Sequence, residues 1–336
     1  MLEAGVDIYY DVTELAVVGF VETLKHLKEF KRVFNLFLNK ITKERPDLVI
    51  LIDYPGFNLR IAKEIKKLNI PIIYYISPQI WAWGKKRIKT IAKLIDKMIV
   101  VFNFEEKLYR DYGINVSFVG HPLLDIVKPG LQDNVVNSFF RLKKDKITIG
   151  LLPGSRENEV KTHLPIMLKA AQLINQHLPN TQFLVSVAPS LKKELFDTPL
   201  KQIKLPLLCT TGNNYDLINV SKLVLVASGT ATLETAILTT PMLIIYKISF
   251  ISSLLIRWLI TLPYIGLVNI VAGKKIMPEF IQYNAKPELI SKTAVKLLQN
   301  KERLERMKTE LIKVRQSLGS PGASRRAATI ILSYLR

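Results

Sequence analysis

Along the chain, short runs of consecutive apolar residues take turns with stretches in which apolar residues recur every three or four positions. The runs DLVILID (47–53), PIIYYIS (71–77), KMIVVF (97–102) and VSFVG (116–120) come first. ITIGLL (147–152), QFLVSVA (182–188), PLLCTT (206–211), KLVLVAS (222–228) and PMLIIYK (241–247) follow. Between them lie helix-period segments: FNLRIAKEIKKLN (57–69), with Ile61, Ile65 and Leu68 on one side, then GKKRIKTIAKLI (84–95), FEEKLYRDYG (104–113), EVKTHLPIMLKAAQLINQ (159–176) and TATLETAIL (230–238). A strand with one wet face would alternate apolar and polar residues. These runs are apolar on both faces, which predicts parallel strands covered on both sides by the intervening helices. Repeated strand–helix units of this kind predict an α/β fold of doubly wound sheets.

The pattern breaks at 122–146, where Pro129-Gly130 and Asp133-Asn134 occur and little strand pattern remains. The break predicts two units, 1–128 and 146–318, joined by a linker at 129–145. Charged amphipathic helices run from Pro287 onward, and the last segment, 319–336, is expected to pack back on the first unit. Pro165, near the start of its helix, is tolerated there or kinks it slightly. A chain of 336 residues exceeds one core of ordinary size and suits two. Ligands of open α/β sheets sit outside the carboxyl ends of the strands, so the cleft between the units is where chemistry is expected.

Composition adds one unusual quantity. Lys and Arg number 48 against 28 Asp and Glu, a net charge of +20, with local concentrations at 25–32, 63–67 and 85–97. That excess favours a polyanionic partner: nucleic acid, a phosphorylated substrate or an anionic membrane. Solvated helix faces that use lysine account for many of the same residues. The single cysteine, Cys209, excludes an intramolecular disulfide framework and fits a reducing compartment. No basic-then-apolar leader with a small-residue cleavage site is present. The most apolar stretch, 248–273, is interrupted by Arg257 and Pro263 and is too short to span a bilayer. It reads either as a buried helix with a hydrophobic loop or as a patch that dips into a membrane surface.

Four strand ends carry candidate chemistry. In LIDYPGFN, Asp53 closes an apolar run before a Tyr-Pro-Gly turn, where burial would suit a general base; the same carboxylate could cap the helix that begins near Phe57. In YYISPQIWAWGKKR, Trp81 and Trp83 could stack on a sugar with Lys85, Lys86 and Arg87 beside a phosphate, or serve as core residues beside a basic helix. In LLPGSRENEV, Gly154 lets backbone N–H groups approach a ligand, a helix N-terminus follows, and Arg156 adds a fork for phosphate. Glu157 and Glu159 would suit the dipole of that helix. In LVASGTATLETAI, Ser228, Gly229 and Thr230 form a second small-residue turn, with Glu234 one turn on toward ribose hydroxyls; Ser228 or Thr230 could equally cap the helix. Two such turns in one unit outweigh either alone, because a nucleotide diphosphate needs several donors. Metal is not expected: no Asp-x-Asp pair occurs, and His26, His121, His163 and His177 lack zinc spacing. No Walker or G-x-G-x-x-G loop is present, which removes kinase, ATPase and NAD readings. His121, in VGHPLLD, either orients substrate or packs at the hinge.

Taken in order, DYPGFN, SPQIWAW, VGHPLLD, LLPGSRENEV and SGTATLE resemble the lipid-A-disaccharide synthase family, as do 14–22 and 262–273. The resemblance implies the GT-B fold of two Rossmann-like domains and an inverting transfer of 2,3-diacylglucosamine from UDP to 2,3-diacylglucosamine 1-phosphate. It implies Asp53 as base, Arg156 as the group that neutralises the leaving diphosphate, and Gly154, Ser155, Ser228, Gly229, Thr230 and Glu234 as the UDP site. Asn58, Trp81, Trp83, His121 and Tyr246 join the candidate set as further substrate contacts. No cofactor is implied. Expected partners are the UDP-sugar donor, the acylated sugar-phosphate acceptor, an anionic membrane surface and a second copy in a homodimer, with no nucleic acid. The expected location is cytoplasmic, peripheral at the inner membrane of a Gram-negative bacterium. Members of the family begin with a strand and a glycine-rich loop ahead of the segment equivalent to Met1, so the chain is expected to be an incomplete enzyme. The alternatives are another GT-B UDP-sugar enzyme, such as an epimerase or the sugar-adding enzyme of peptidoglycan synthesis, and a non-enzymatic basic α/β protein that binds acidic membrane or nucleic acid.

Overall fold

A computed structural model describes residues 5–11, 27–81, 87–192, 194–201, 203–248 and 263–335. Trp83, Lys85 and Lys86 lie outside the described residues, as do 14–22 and most of the apolar stretch 248–273. The first half runs α1 (Leu27–Glu44), β1 (Val49–Ile52), α2 (Pro55–Lys67), β2 (Ile72–Tyr75), α3 (Ile88–Leu94), β3 (Lys97–Val100), α4 (Asn103–Arg110) and β4 (Val116–Phe118). Two short helices follow, α5 (Leu123–Ile126) and α6 (Asp133–Phe139). The second half runs β5 (Ile147–Leu152), α7 (Glu157–His177), β6 (Thr181–Val187), α8 (Glu194–Lys201), β7 (Leu207–Thr211), α9 (Asn214–Val220), β8 (Leu223–Ala227), α10 (Ala231–Ile237) and β9 (Met242–Tyr246). It continues with α11 (Leu267–Ala272), β10 (Glu279–Ile281), α12 (Pro287–Leu298), α13 (Lys301–Ser317) and α14 (Ala323–Ser333).

Among the described residues every strand pairing is parallel, in two sheets. The first has the order β1-β2-β3-β4 and the second β10-β9-β8-β5-β6-β7. In the second sheet the strand order reverses between β5 and β8, the switch point at which doubly wound sheets open a crevice. The strands are apolar on both faces because both faces are covered: β3, β6 and β8 are buried from end to end. Among the described residues β1 is an edge of the first sheet, and Ile50 and Ile52 are each 42% exposed.

Separate cores form around each sheet, and a smaller cluster joins them. Val101 and Phe102, just past β3, and Leu123 of α5 pack with Leu233 and Ile237 of α10. The 129–145 stretch, expected as a linker, is tied to the second half where the Asp216 carboxylate accepts from the backbone N–H groups of Gly130 (2.9 Å) and Leu131 (2.7 Å). Helix α14 crosses back to the first sheet, and its Ala327 is buried against Ile73, Ile99 and Val119. Among the described residues no helix is long and apolar enough to cross a membrane.

Candidate active site at the sheet switch point

From Leu152 at the end of β5 the chain turns through Pro153, Gly154, Ser155 and Arg156 into α7. Gly154 has φ +124°, and a Cβ there would fall 2.6 Å from Oε2 of Glu159, so the turn requires glycine. Glu159 curls back over it. Its Oε2 accepts from the backbone N–H groups of Ser155 (3.1 Å) and Arg156 (3.3 Å), and its Oε1 from Nη1 of Arg156 (3.2 Å). The backbone donors at the N-terminus of this 21-residue helix are therefore held by an internal carboxylate. The Arg156 side chain is 71% exposed, so its ion pair contributes little on its own.

Behind the turn, His163 is buried with Nδ1 donating to the Pro153 carbonyl (3.1 Å) and Nε2 accepting from the Lys247 N–H (3.1 Å). Those two bonds assign a neutral ring with its proton on Nδ1. Burial holds its pKa below the ordinary histidine value. His163 thus ties the β5 turn to the end of β9.

The second turn, Ser228-Gly229-Thr230, follows β8. Ser228 donates from Oγ to the Ile265 carbonyl (3.2 Å), and Thr230 makes no side-chain capping bond. Glu234, one turn into α10, is half-buried, and burial raises its pKa. The two turns meet across the switch point. Gly154, Ser155, Arg156, Ser228, Gly229, Thr230 and Glu234 all line one cavity of about 330 Å³. Ser186 and Asn214 line it too, joined by a 2.6 Å bond from Ser186 Oγ to Asn214 Oδ1. Neither residue stands out in the strand–turn pattern, although Ser186 is a lone hydroxyl in the otherwise apolar end of QFLVSVA.

Asp53 stands at the carboxyl end of β1 and does not line that cavity. Its side chain is exposed, so the burial expected of it is not found: β1 is an edge strand, and its end meets solvent. Asp53 and Tyr54 both hold left-handed backbone, at φ 47° and 42°. Asn58, expected on substrate, instead donates through Nδ2 to the carbonyls of Ile52 (3.0 Å) and Asp53 (2.7 Å), while the Tyr74 hydroxyl donates to the Asp53 carbonyl. These bonds fix the turn that presents the carboxylate.

Trp81 is corrected to a core residue. It is 8% exposed, lies edge-on to Phe102 and Phe104, and donates from Nε1 to Glu105 (2.9 Å). Glu105, 1% exposed, also accepts from Ser77 Oγ (2.8 Å) and from the Phe102 N–H (3.3 Å). Burial pushes its pKa up to about 7. His121 is half-buried on Phe102, ring centroids 5.1 Å apart, and its Nδ1 accepts from the Leu123 N–H (3.2 Å). Burial takes its pKa down to about 4, so hinge packing holds a neutral ring there. Tyr246 ends β9 half-buried, outside the cavity lining.

The two halves approach at this end. The residues just past β3 abut α10, whose first turn lines the cavity. β1 lies two strands from β3, roughly 10 Å away at about 4.8 Å per strand. Among the described residues no cluster of His, Cys, Asp and Glu has the makings of a metal site.

A model of the lipid-A-disaccharide synthetase family matches residues 1–333. The lipid-A-disaccharide synthase of Syntrophus aciditrophicus is 44% identical over 99% of this chain and 87% of its own length. That of Trichlorobacter lovleyi is 42% identical over 100% and 88%. Among solved structures, a putative UDP-N-acetylglucosamine 2-epimerase from Listeria monocytogenes superposes with a TM-score of 0.61 at 15% identity, covering 91% of this chain and 79% of that one. The spinosyn rhamnosyltransferase SpnG superposes with a TM-score of 0.55 at 12% identity, covering 90% and 77%. At such identities these two likenesses show the GT-B fold alone. The sequence matches decide the matter: the chain belongs to the lipid-A-disaccharide synthase family of glycosyltransferases.

Proposed function

We propose that the chain transfers 2,3-diacylglucosamine from UDP to the 6-hydroxyl of 2,3-diacylglucosamine 1-phosphate with inversion, releasing UDP. The observation that carries the reading is the meeting of two small-residue turns in one cavity at the switch point of the second sheet. The diphosphate is assigned to the 154–156 turn and the N-terminus of α7, and the uridine ribose to Glu234, which lines the same cavity. On this reading the diphosphate displaces Glu159 from the backbone donors and draws the Arg156 guanidinium onto itself as negative charge builds on the leaving group. Asp53 takes the proton from the acceptor hydroxyl as it attacks the anomeric carbon, and the C–O bond to UDP breaks on the opposite face. Residues 1–128 then form the acceptor side and 146–318 the donor side, with 129–145 between them and 319–336 returning to the acceptor side. The net charge of +20 and the apolar stretch 248–273 suit work at an anionic membrane surface, where both acylated substrates reside.

Turnover of UDP-diacylglucosamine against non-acylated UDP-glucosamine, followed by UDP release, tests the substrate class. Asp53→Asn should lower turnover about 10²–10⁴-fold while UDP affinity stays within about two-fold. Equal use of both donors, or an Asp53→Asn variant of full activity, would reject the assignment.

A further inference from the structure

A larger cavity, about 620 Å³, opens at the opposite end of the second sheet, among the amino ends of β5, β6, β8 and β9. β5 spans the distance between the two sites, with Ile147 lining this one and Leu152 the other, roughly 16 Å apart along a strand of about 3.3 Å per residue. Five lysines line it, Lys143, Lys144, Lys146, Lys222 and Lys308, and no carboxylate does. Lys308 is paired with Glu305 on its own helix (3.1 Å). Among the described residues the other four make no ion pair; Asp145, exposed between Lys144 and Lys146 in the chain, is not part of the lining.

Lys143 and Lys222 are anchored through their backbones. The buried Gln182 side chain accepts from the Lys143 N–H (3.0 Å) and donates to the Lys143 carbonyl (3.0 Å) and to Thr148 Oγ1 (3.0 Å). The Lys222 N–H donates to the Thr148 carbonyl (2.8 Å). Thr239, also in the lining, is held at φ 56°, a left-handed conformation unusual for a β-branched residue. The lining contains no aromatic side chain on which a base could stack, which argues against single-stranded nucleic acid. Ammonium groups with hydroxyl and amide donors suit phosphate oxygens, which they bind as point charges.

We propose that this basin is a second anion site, separate from the UDP cavity, for a ligand that carries clustered phosphate oxygens. Inorganic pyrophosphate is the probe. Titrated calorimetrically into the full chain at constant KCl, it should report two sites. Arg156→Ala should weaken one and leave the other. Lys144→Gln/Lys146→Gln/Lys222→Gln should weaken the second at least about ten-fold, since each lost charged contact is a large fraction of such affinity, and should leave UDP affinity unchanged. Circular dichroism melts of the triple variant check that it folds. A single site abolished by Arg156→Ala, or a triple variant that binds pyrophosphate as the parent does, overturns the proposal.

Sedimentation with phosphatidylcholine vesicles doped with phosphatidylglycerol separates the sources of phosphate, given two sites in calorimetry. Vesicle binding that pyrophosphate competes away and the triple variant loses identifies a lipid head group. Vesicle binding that is absent, or that the triple variant retains, identifies a soluble phosphate.

Discussion

Glu105 is a buried carboxylate that accepts from an indole N–H, a hydroxyl and a backbone N–H, yet it faces no cation close enough to pair with it among the described residues. Desolvation prevails over those bonds and raises its pKa from 4.5 to about 7. Between those values the folded chain holds a proton that the unfolded chain has released. This group's contribution to stability therefore falls as pH rises from about 4.5 to about 7, by on the order of 3 kcal/mol, and is level above that. Urea unfolding of the parent and of Glu105→Gln, compared across this range, should show their difference shrinking against the parent as pH rises; a constant difference would contradict it. At Gly154 the constraint is steric. Gly154→Ala places a methyl group 2.7 Å from Glu159 Cβ in a backbone conformation that L-residues avoid. It should cost roughly 1–3 kcal/mol of stability and weaken UDP binding at least about ten-fold, both measurable by calorimetry.

Among the elements, Arg326 of α14 does more than pack. Nε and Nη2 donate to the Val119 carbonyl (2.9 and 2.6 Å), Nη2 also to Ser320 (2.6 Å) and Nη1 to Pro321 (2.7 Å), so one planar fork holds the last helix to the end of β4. Arg326→Ala should destabilise by roughly 2–4 kcal/mol in urea unfolding, and Arg326→Lys should recover little of it, because an ammonium cannot reproduce the fork. None of this was readable from ASRRAATIIL, where Arg325 and Arg326 look alike. The strands were readable because strands of a parallel sheet buried on both faces are unbroken apolar runs, and the two cavity turns were readable because glycine and small hydroxyl residues interrupt those runs at one end. What escaped depends on the third dimension. β10 is a three-residue strand whose Glu279 carboxylate serves the Gly266 N–H and Asn269. Asn214 reaches the cavity from α9, and Trp81 is turned inward by a glutamate 24 positions away.

For the molecule as a whole, the decisive quantity is the imbalance of 48 cationic side chains against 28 anionic ones. The ion pairs do little to relieve it. Most join residues three or four apart on one helix, and only Lys66–Asp96 and Lys274–Glu310 link separate elements among the described residues. Exposed pairs of the local kind are worth about 0.3–0.5 kcal/mol each. Long-range repulsion among the surplus cations is stronger in the compact state, where they are crowded together, and it is screened beyond about 10 Å at 0.1 M salt. Raising KCl should therefore stabilise the fold, shifting the urea midpoint upward by the equivalent of roughly 1 kcal/mol between low and physiological ionic strength. A midpoint that falls with KCl would mean that the helical pairs outweigh the net charge. Screening depends on ionic strength alone, whereas occupancy of a site depends on the anion. Pyrophosphate at matched ionic strength should add a further rise over KCl in the parent, a smaller one in Arg156→Ala, and none when Arg156→Ala is combined with the three lysine substitutions.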